Sequence, residues 1–131
     1  MSQHPIELIL MKQLASYLAM PVFLLDEAGV LVYFNLPAES ILGLRFEEIG
    51  EMAAEEWQKA FTPTGADGQP LDVGGLAFSK VITSRRPEHG DFWISGLDGV
   101  PRHVSVAAFP LVGQARRNMG FVAFCWLEDG G

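Results

Sequence analysis

The stretch of sequence that decides the fold is residues 22–43, which reads VFLLDEAGVLVYFNLPAESILG. Two apolar and β-branched runs, Val22–Leu25 and Val30–Phe34, flank Asp26-Glu27-Ala28-Gly29, whose glycine can take a positive φ. This pattern predicts a β-hairpin. Both runs are apolar at alternate and intervening positions, so we expect both faces of the sheet to be covered.

A short helix is predicted directly after the hairpin. Asn35 can cap its start, Pro37 suits its first turn, and apolar residues recur at helical spacing from Ala38 to Leu42. Gly43 can end the helix because glycine readily takes the left-handed conformation there.

Residues 5–20, upstream of the hairpin, predict an amphipathic helix that Pro21 ends. Its apolar residues fill an arc wider than one stripe, with Lys12, Gln13 and Ser16 clustered opposite. We expect such a helix to cover two surfaces, its own sheet and a partner chain. The alternative is a core helix of a monomer.

The rest of the chain predicts short helices and then three antiparallel strands. Helical patterns occupy residues 46–61 and 76–84, separated by a surface loop over residues 62–75. Strands are predicted at Asp91–Ser95, Arg102–Leu111 and Phe121–Leu127, with turns at Asp98-Gly99 and at residues 113–120.

This order of elements predicts an α+β domain with a five-stranded antiparallel sheet. We expect short helices on one face of the sheet and the N-terminal helix on the other. We expect residues 1–20 to form a cap or dimerisation helix and residues 21–131 to form the domain.

Composition excludes several classes of function. The net charge of −7, with 16 acids against 9 bases, would repel a phosphate backbone, so we expect no nucleic-acid partner. Cys125 is the sole cysteine, which precludes an intrachain disulfide and fits a reducing, cytoplasmic location. No apolar run reaches the roughly 18 residues that a membrane span needs.

The order of the elements resembles the PAS family, and specific residues carry the resemblance. Asp26-x-x-Gly29 with Asn35-x-x-Ala38-x-x-x-x-Gly43 is similar to the family's most recognisable stretch. Phe46-Glu47-Glu48-Ile49-Gly50, Asp67-Gly68-Gln69-Pro70, Ser84-Arg85-Arg86-Pro87, Asp98-Gly99 and Arg102-x-Val104-x-Val106-x-Ala108-x-Pro110-Leu111 continue the similarity. The likeness covers residues 21–128.

The resemblance implies a sensory or regulatory module that acts in signal transduction through protein–protein contacts. In the family, N-terminal helices commonly pack on the outer sheet face and mediate dimerisation. We therefore expect a homodimer, and an effector domain such as a kinase, phosphatase, cyclase or transcription factor in the same or another chain.

Matching the strands to flavin-binding relatives divides their residues between two faces. The predicted pocket side carries Phe92, Ile94, Val104, Val106, Ala108, Phe121, Ala123 and Cys125. Strand alternation sends Trp93, Ser105, Ala107, Phe109, Val122, Phe124 and Trp126 to the outer face, a set too apolar to lie in water. The predicted dimer contact comprises Ile6, Leu10, Leu14, Tyr17, Leu18, Trp93, Phe109, Phe124 and Trp126.

A flavin is not expected. Flavin–thiol photochemistry in the family requires a helical cysteine in an Asn-Cys-Arg-Phe setting and polar side chains on the sheet. The sole cysteine here is Cys125 on the last strand, and the corresponding sheet positions, including Ile94 and Val104, are apolar.

Haem and metal sites are not expected either. Haem requires an axial ligand, usually a helical histidine that faces the pocket. His4 precedes the first helix, His89 is predicted in a loop after Pro87, and His103 is predicted to face outward. No set of His, Cys or carboxylates has metal-ligand spacing. We therefore expect no cofactor.

Two other functions stay open. The first is a receptor for a small apolar ligand in the pocket. The second is a cone-shaped α+β enzyme of the isomerase or dehydratase type, which needs a buried acid, tyrosine or histidine pointing into the cavity. The inward set contains none, and Cys125 is interpreted as an inert core residue, so no catalytic residue is expected.

Overall fold

The computed structural model describes residues 5–43, 45–60, 63–72, 75–95 and 101–128. In chain order the elements are α1 (Ile6–Ala15), β1 (Val22–Leu25), β2 (Leu31–Phe34), α2 (Leu36–Leu42), α3 (Phe46–Ile49), α4 (Ala54–Ala60), β3 (Pro63–Thr64), α5 (Ala77–Ser84), β4 (Glu88–Ser95), β5 (Pro101–Val112) and β6 (Asn118–Leu127). The strands form one six-stranded sheet in the order β2-β1-β6-β5-β4-β3.

All pairings between named strands in this sheet are antiparallel, as predicted. The five predicted strands are present, and the sixth, β3, has only two residues. It pairs with β4 through Pro63 opposite Ile94 and Thr64 opposite Trp93, within the stretch expected to be a loop. Proline suits this position because an edge strand does not need every N–H for pairing.

The hairpin and α2 form as their local chemistry predicts. Asp26 Oδ1 accepts hydrogen bonds from the backbone N–H groups of Ala28 and Val30, and Gly29 has φ +85°. Asn35 caps α2, and Gly43 ends that helix in the left-handed conformation. The Asp26–Val30 turn joins β1 to β2, and the capped helix α2 follows directly.

Several predicted boundaries were wrong. The helix α1 ends at Ala15 rather than near residue 20, because the side-chain amide of Asn35 donates to the Ala15 carbonyl over 2.9 Å. The strand β4 begins at Glu88, so His89 lies on a strand rather than in a loop. Strand β6 begins at Asn118, three residues early. The predicted Asp98-Gly99 turn lies outside the described residues.

The sheet separates two hydrophobic clusters. The larger cluster lies between the inner face and helices α2, α4 and α5, and the smaller one lies between the outer face and α1. The N-terminal helix and the short helices therefore occupy opposite faces of one sheet, as predicted. Within the described ranges, no helix is long and apolar enough to cross a membrane.

Candidate functional site

The inner face holds every residue that was assigned to the pocket side. All eight side chains are buried in the larger cluster. Phe92, Ile94, Val104, Ala123 and Cys125 line a cavity there, whereas Val106, Ala108 and Phe121 pack elsewhere in the same core. The alternation that predicted the two faces of β4, β5 and β6 is therefore present, although ligand binding by these residues stays a prediction.

This inner cavity is small because aromatic side chains occupy the space around it. Its volume is about 30 Å³, room for about one or two water molecules. Trp57 meets Phe78 edge-on at 5.4 Å between ring centroids, and Phe78 meets Phe92 in the same way at 5.7 Å. Common ligand pockets measure about 300–1,000 Å³. A larger ligand would therefore have to displace these rings.

Trp57 is the inner-core residue that sequence reasoning missed. It lies on α4, which carries Glu55 and Glu56 in its first turn, yet the indole is almost fully buried. Its Nε1 donates a hydrogen bond of 2.8 Å to the Gly29 carbonyl in the hairpin turn. The one available signal was a tryptophan among acids, because a large aromatic in a polar helix usually marks the buried side.

The described side chains that line the inner cavity are aliphatic or aromatic, apart from the thiol of Cys125. Among the described residues that line it, Cys125 has the one titratable side chain, and burial raises the pKa of this thiol to about 12. The thiol is therefore neutral at physiological pH and is a poor nucleophile. Among the residues that the structure describes, no group of three or more His, Cys, Asp or Glu side chains could hold a metal ion.

On the outer face, α1 covers one half of the sheet. Leu8 and Ala15 are buried against Val22, Leu24 and Val122 of β1 and β6. We call this region the covered half. It extends to the end of β5, where Phe109 stacks on Phe124 at 5.5 Å and both rings are half-buried.

Asn35 fastens α1 to the covered half. The side chain is buried, and its amide donates to the carbonyls of Ala15 and Met20, each over 2.9 Å. Its Oδ1 accepts from the backbone N–H groups of Val22 and Ala38. One amide thus joins the end of α1, the start of β1 and the first turn of α2. The sequence predicted only the cap of α2.

The opposite side of α1 is apolar and exposed. Ile6, Leu10 and Leu14 are more than half exposed, and Tyr17 just beyond the helix is 87% exposed. Leu18, which was predicted to belong to the same contact, is half-buried against the protein's own outer cluster. The wide apolar arc seen in the sequence therefore divides into one packed side and one exposed side.

The other half of the outer face, formed by β4, the first half of β5 and the end of β6, contains a groove of about 340 Å³. We call it the outer groove. The residues that line it on this face are His89, Gly90, Asp91, His103, Ser105, Trp126 and Glu128. Trp126, from the predicted dimer contact, is 40% exposed at its wall.

Hydrogen bonds hold the polar side chains of the outer groove in place. His103, which faces outward as predicted, donates from Nε2 to Asp91 Oδ2 over 2.7 Å. Trp93 stacks on the imidazole with ring centroids 4.9 Å apart. Glu128 accepts hydrogen bonds from Ser105 and from the indole N–H of Trp126. The groove is therefore aromatic on its walls and rich in carboxylate acceptors.

In sequence comparisons, no protein-family model and no curated protein matches this chain. Solved structures with similar folds are numerous. The PAS domain of Bordetella pertussis BvgS superposes with a TM-score of 0.62 at 15% identity, over 93% of this chain and 85% of that chain.

Two further structures extend the similarity. The Rhodobacter sphaeroides LOV protein has a TM-score of 0.71 at 12% identity, over 96% of this chain and 70% of that chain. The PAS domain of the fruit-fly ELK potassium channel has a TM-score of 0.70 at 12% identity, over 92% of this chain and 95% of that chain. With the antiparallel sheet and the helices on its inner face, these superpositions identify the chain as a PAS-fold domain.

Proposed function

We propose that the chain is a sensory or regulatory PAS domain that acts by protein–protein interaction and has no catalytic activity of its own. It forms a homodimer through the exposed side of α1 and the outer face of the sheet. Its output is the control of an effector, such as a kinase, phosphatase, cyclase or transcription factor, in the same or another chain.

The observation that carries this proposal is the division of α1 into two apolar sides. One side is buried on the covered half, where Leu8 and Ala15 pack on β1 and β6. The other side leaves Ile6, Leu10 and Leu14 in solvent. A contiguous exposed apolar strip of this kind is typical of a protein interaction surface.

A chain of contacts connects α1 to the inner core around the edge of the sheet. The Lys12 ammonium lies 5.3 Å from the centre of the Tyr33 ring and 5.9 Å from that of Phe46. Phe46 in turn meets Phe34 edge-on at 5.3 Å, and Phe34 belongs to the inner cluster. A change in inner packing can thus alter the position of α1 and shift the population of two arrangements.

The inner face supports a role in packing more than a role in chemistry. Its cavity is apolar and small, and its thiol is held neutral by burial. An enzyme of the isomerase or dehydratase type would require an acid, tyrosine or histidine there. These features favour a regulatory module over a catalyst.

Sedimentation equilibrium tests the proposed homodimer. We expect the wild-type protein to be a dimer at micromolar concentration, and the double variant L10E/L14E to be a monomer with an unchanged far-UV spectrum. The control L36E changes a leucine that is 74% exposed on α2, a helix of the inner face, and it should leave the dimer intact. A monomeric wild type, or a dimeric double variant, would refute the proposal.

A further inference from the structure

The outer groove lies on the half of the outer face that α1 leaves open. Asp91, Ser105 and Trp126 form one row across β4, β5 and β6, since Asp91 pairs with Ser105 and Ser105 with Trp126. Asp91 accepts a hydrogen bond from His103, and Glu128 accepts two, from Ser105 and Trp126. A carboxylate offers about four acceptor positions, so both can accept more. The groove therefore suits an aromatic group that carries a hydrogen-bond donor.

Tyr17 has these properties and is the most exposed of the large apolar or aromatic side chains that the structure describes. It follows the last turn of α1, with its N–H bonded to the Leu14 carbonyl. Because 87% of the residue is exposed, Tyr17 packs little against its own chain. A tyrosine suits an interface because its ring packs and its hydroxyl still finds a polar partner.

The end of α1 lies at nearly the same level along the strands as the outer groove. The Pro21 carbonyl accepts from the N–H of Cys125, and Asn35 binds the Ala15 carbonyl beside Val22, which pairs with Phe124. The segment that carries Tyr17 thus runs between the Ala15 and Met20 carbonyls, both bound by Asn35, and leads into Pro21 beside Cys125. Trp126, in the row of the groove, is the next residue along β6.

The symmetry of a homodimer can bring Tyr17 of one copy to the outer groove of the other. A two-fold axis parallel to the strands would place the α1 of each copy over the open half of the other copy. It would also leave each residue at the same position along the strand direction, so that Tyr17 of one copy meets the groove of the other. A two-fold axis perpendicular to the strands would stack α1 on α1 and leave both open halves facing a gap of roughly two helix diameters. The parallel axis is the arrangement that covers both apolar surfaces.

We propose that Tyr17 of each copy inserts into the outer groove of the second copy, with its ring against Trp126 and its hydroxyl donating to Asp91 or Glu128. This inference rests on the proposed homodimer and specifies its geometry. The occupant of the groove is thus a second copy of this chain, because the exposed strip and the open half belong to the same chain and one axis matches both.

A mixing experiment tests this contact directly. Two versions of the chain, both with C125A in place of the sole cysteine, carry Y17C and S105C respectively. After mixing and mild oxidation, we expect a disulfide-linked heterodimer of the two versions, identified by mass when one version is isotope-labelled. The matched control replaces Y17C with L36C and should give little heterodimer, because Leu36 lies on α2.

Substitutions of Tyr17 separate the contribution of its ring to dimer affinity from that of its hydroxyl. Y17A should weaken the dimer at least tenfold in sedimentation equilibrium, whereas Y17F should keep the ring contact and weaken the dimer less. The intrinsic fluorescence of Trp126 and its neighbours should also change on dilution of the wild type but not of Y17A.

The possible failures are distinct. A wild type that is monomeric at all concentrations overturns both the homodimer and the groove contact. A stable dimer that forms no disulfide between Y17C and S105C, and that Y17A does not weaken, overturns the groove contact and leaves the homodimer supported.

Discussion

Asn35 shows how one side chain can do more than its local sequence signal indicates. An N-cap needs only the side-chain oxygen, yet Asn35 also uses its amide nitrogen. It binds four backbone groups, one each in α1, β1 and α2 and one in the segment between α1 and β1. The PAS-like spacing that includes Asn35 therefore has a structural reason here. The residue caps α2 and also fastens the N-terminal helix to the sheet.

Substitutions of Asn35 should separate these two roles. N35A removes the cap and leaves buried carbonyl and N–H groups unpaired, so we expect a loss of about 3 kcal/mol of unfolding free energy. N35D keeps an acceptor for Val22 and Ala38 but places a carboxylate against the carbonyls of Ala15 and Met20. Urea denaturation measures both losses.

Hydrogen exchange then distinguishes the two variants of Asn35. In N35D, the amides of α1 should exchange faster while those of α2 stay protected, because the cap of α2 is kept. Equal acceleration of both helices in N35D would contradict the assignment of a separate fastening role.

Cys125 gives a pH dependence with a definite sign. Burial raises the pKa of this thiol from 9.0 to about 12, so the folded protein holds the proton more tightly than the unfolded chain. The resulting stability is fully present below pH 9 and is lost as the pH rises from 9 towards 12. C125A should flatten the alkaline fall in unfolding free energy, measured by urea denaturation across this range. An identical slope in C125A would contradict the assignment.

At the scale of elements, the β5–β6 turn carries local strain. Ala115 and Arg116 have φ of +57° and +59°, a conformation that glycine and asparagine take more readily than other residues. The turn keeps this shape because Gly113 donates to the Arg117 carbonyl and the long strands on each side fix its ends.

Glycine should relieve this strain at Arg116 but not at the neighbouring Arg117. We expect R116G to raise the unfolding free energy by about 0.5–1 kcal/mol, because the left-handed conformation no longer carries a Cβ. The control R117G makes the same chemical change next to it, outside the left-handed region, and should be neutral or destabilising. Thermal and urea denaturation compare the two, and a larger gain in R117G would refute the explanation.

The elements that the sequence predicted well are those with local causes. The hairpin at Gly29 and the helix between Asn35 and Gly43 depend on turn and cap chemistry that neighbouring residues supply. The alternation along β5 and β6 separated the inner from the outer side chains because each strand has a period of two.

The elements that the sequence predicted poorly depend on distant partners. His89 and Gly90 have no strand pattern, and they join β4 because Ala107 and Val106 pair with them. Trp57 packs against Phe78 on α5 and donates its indole N–H to the hairpin turn, both far from it in sequence. The outer groove forms only when β4, β5 and β6 pair in register, so no local sequence pattern predicts it.

At the scale of the whole molecule, the two faces of the sheet are covered to different extents. The inner face is closed by helices of its own chain and by the Trp57, Phe78 and Phe92 rings. The outer face is closed over one half, by α1, while exposed apolar side chains remain on α1 and at Trp126. This asymmetry is the physical basis for assigning a second copy to the outer face.

The most direct test of this account is hydrogen–deuterium exchange of the wild-type protein over a range of concentrations. We predict that the amides of α1 become more protected as concentration rises, while those in the centre of β6 do not change. Protection of α1 that is independent of concentration, in a protein that stays monomeric, would contradict it.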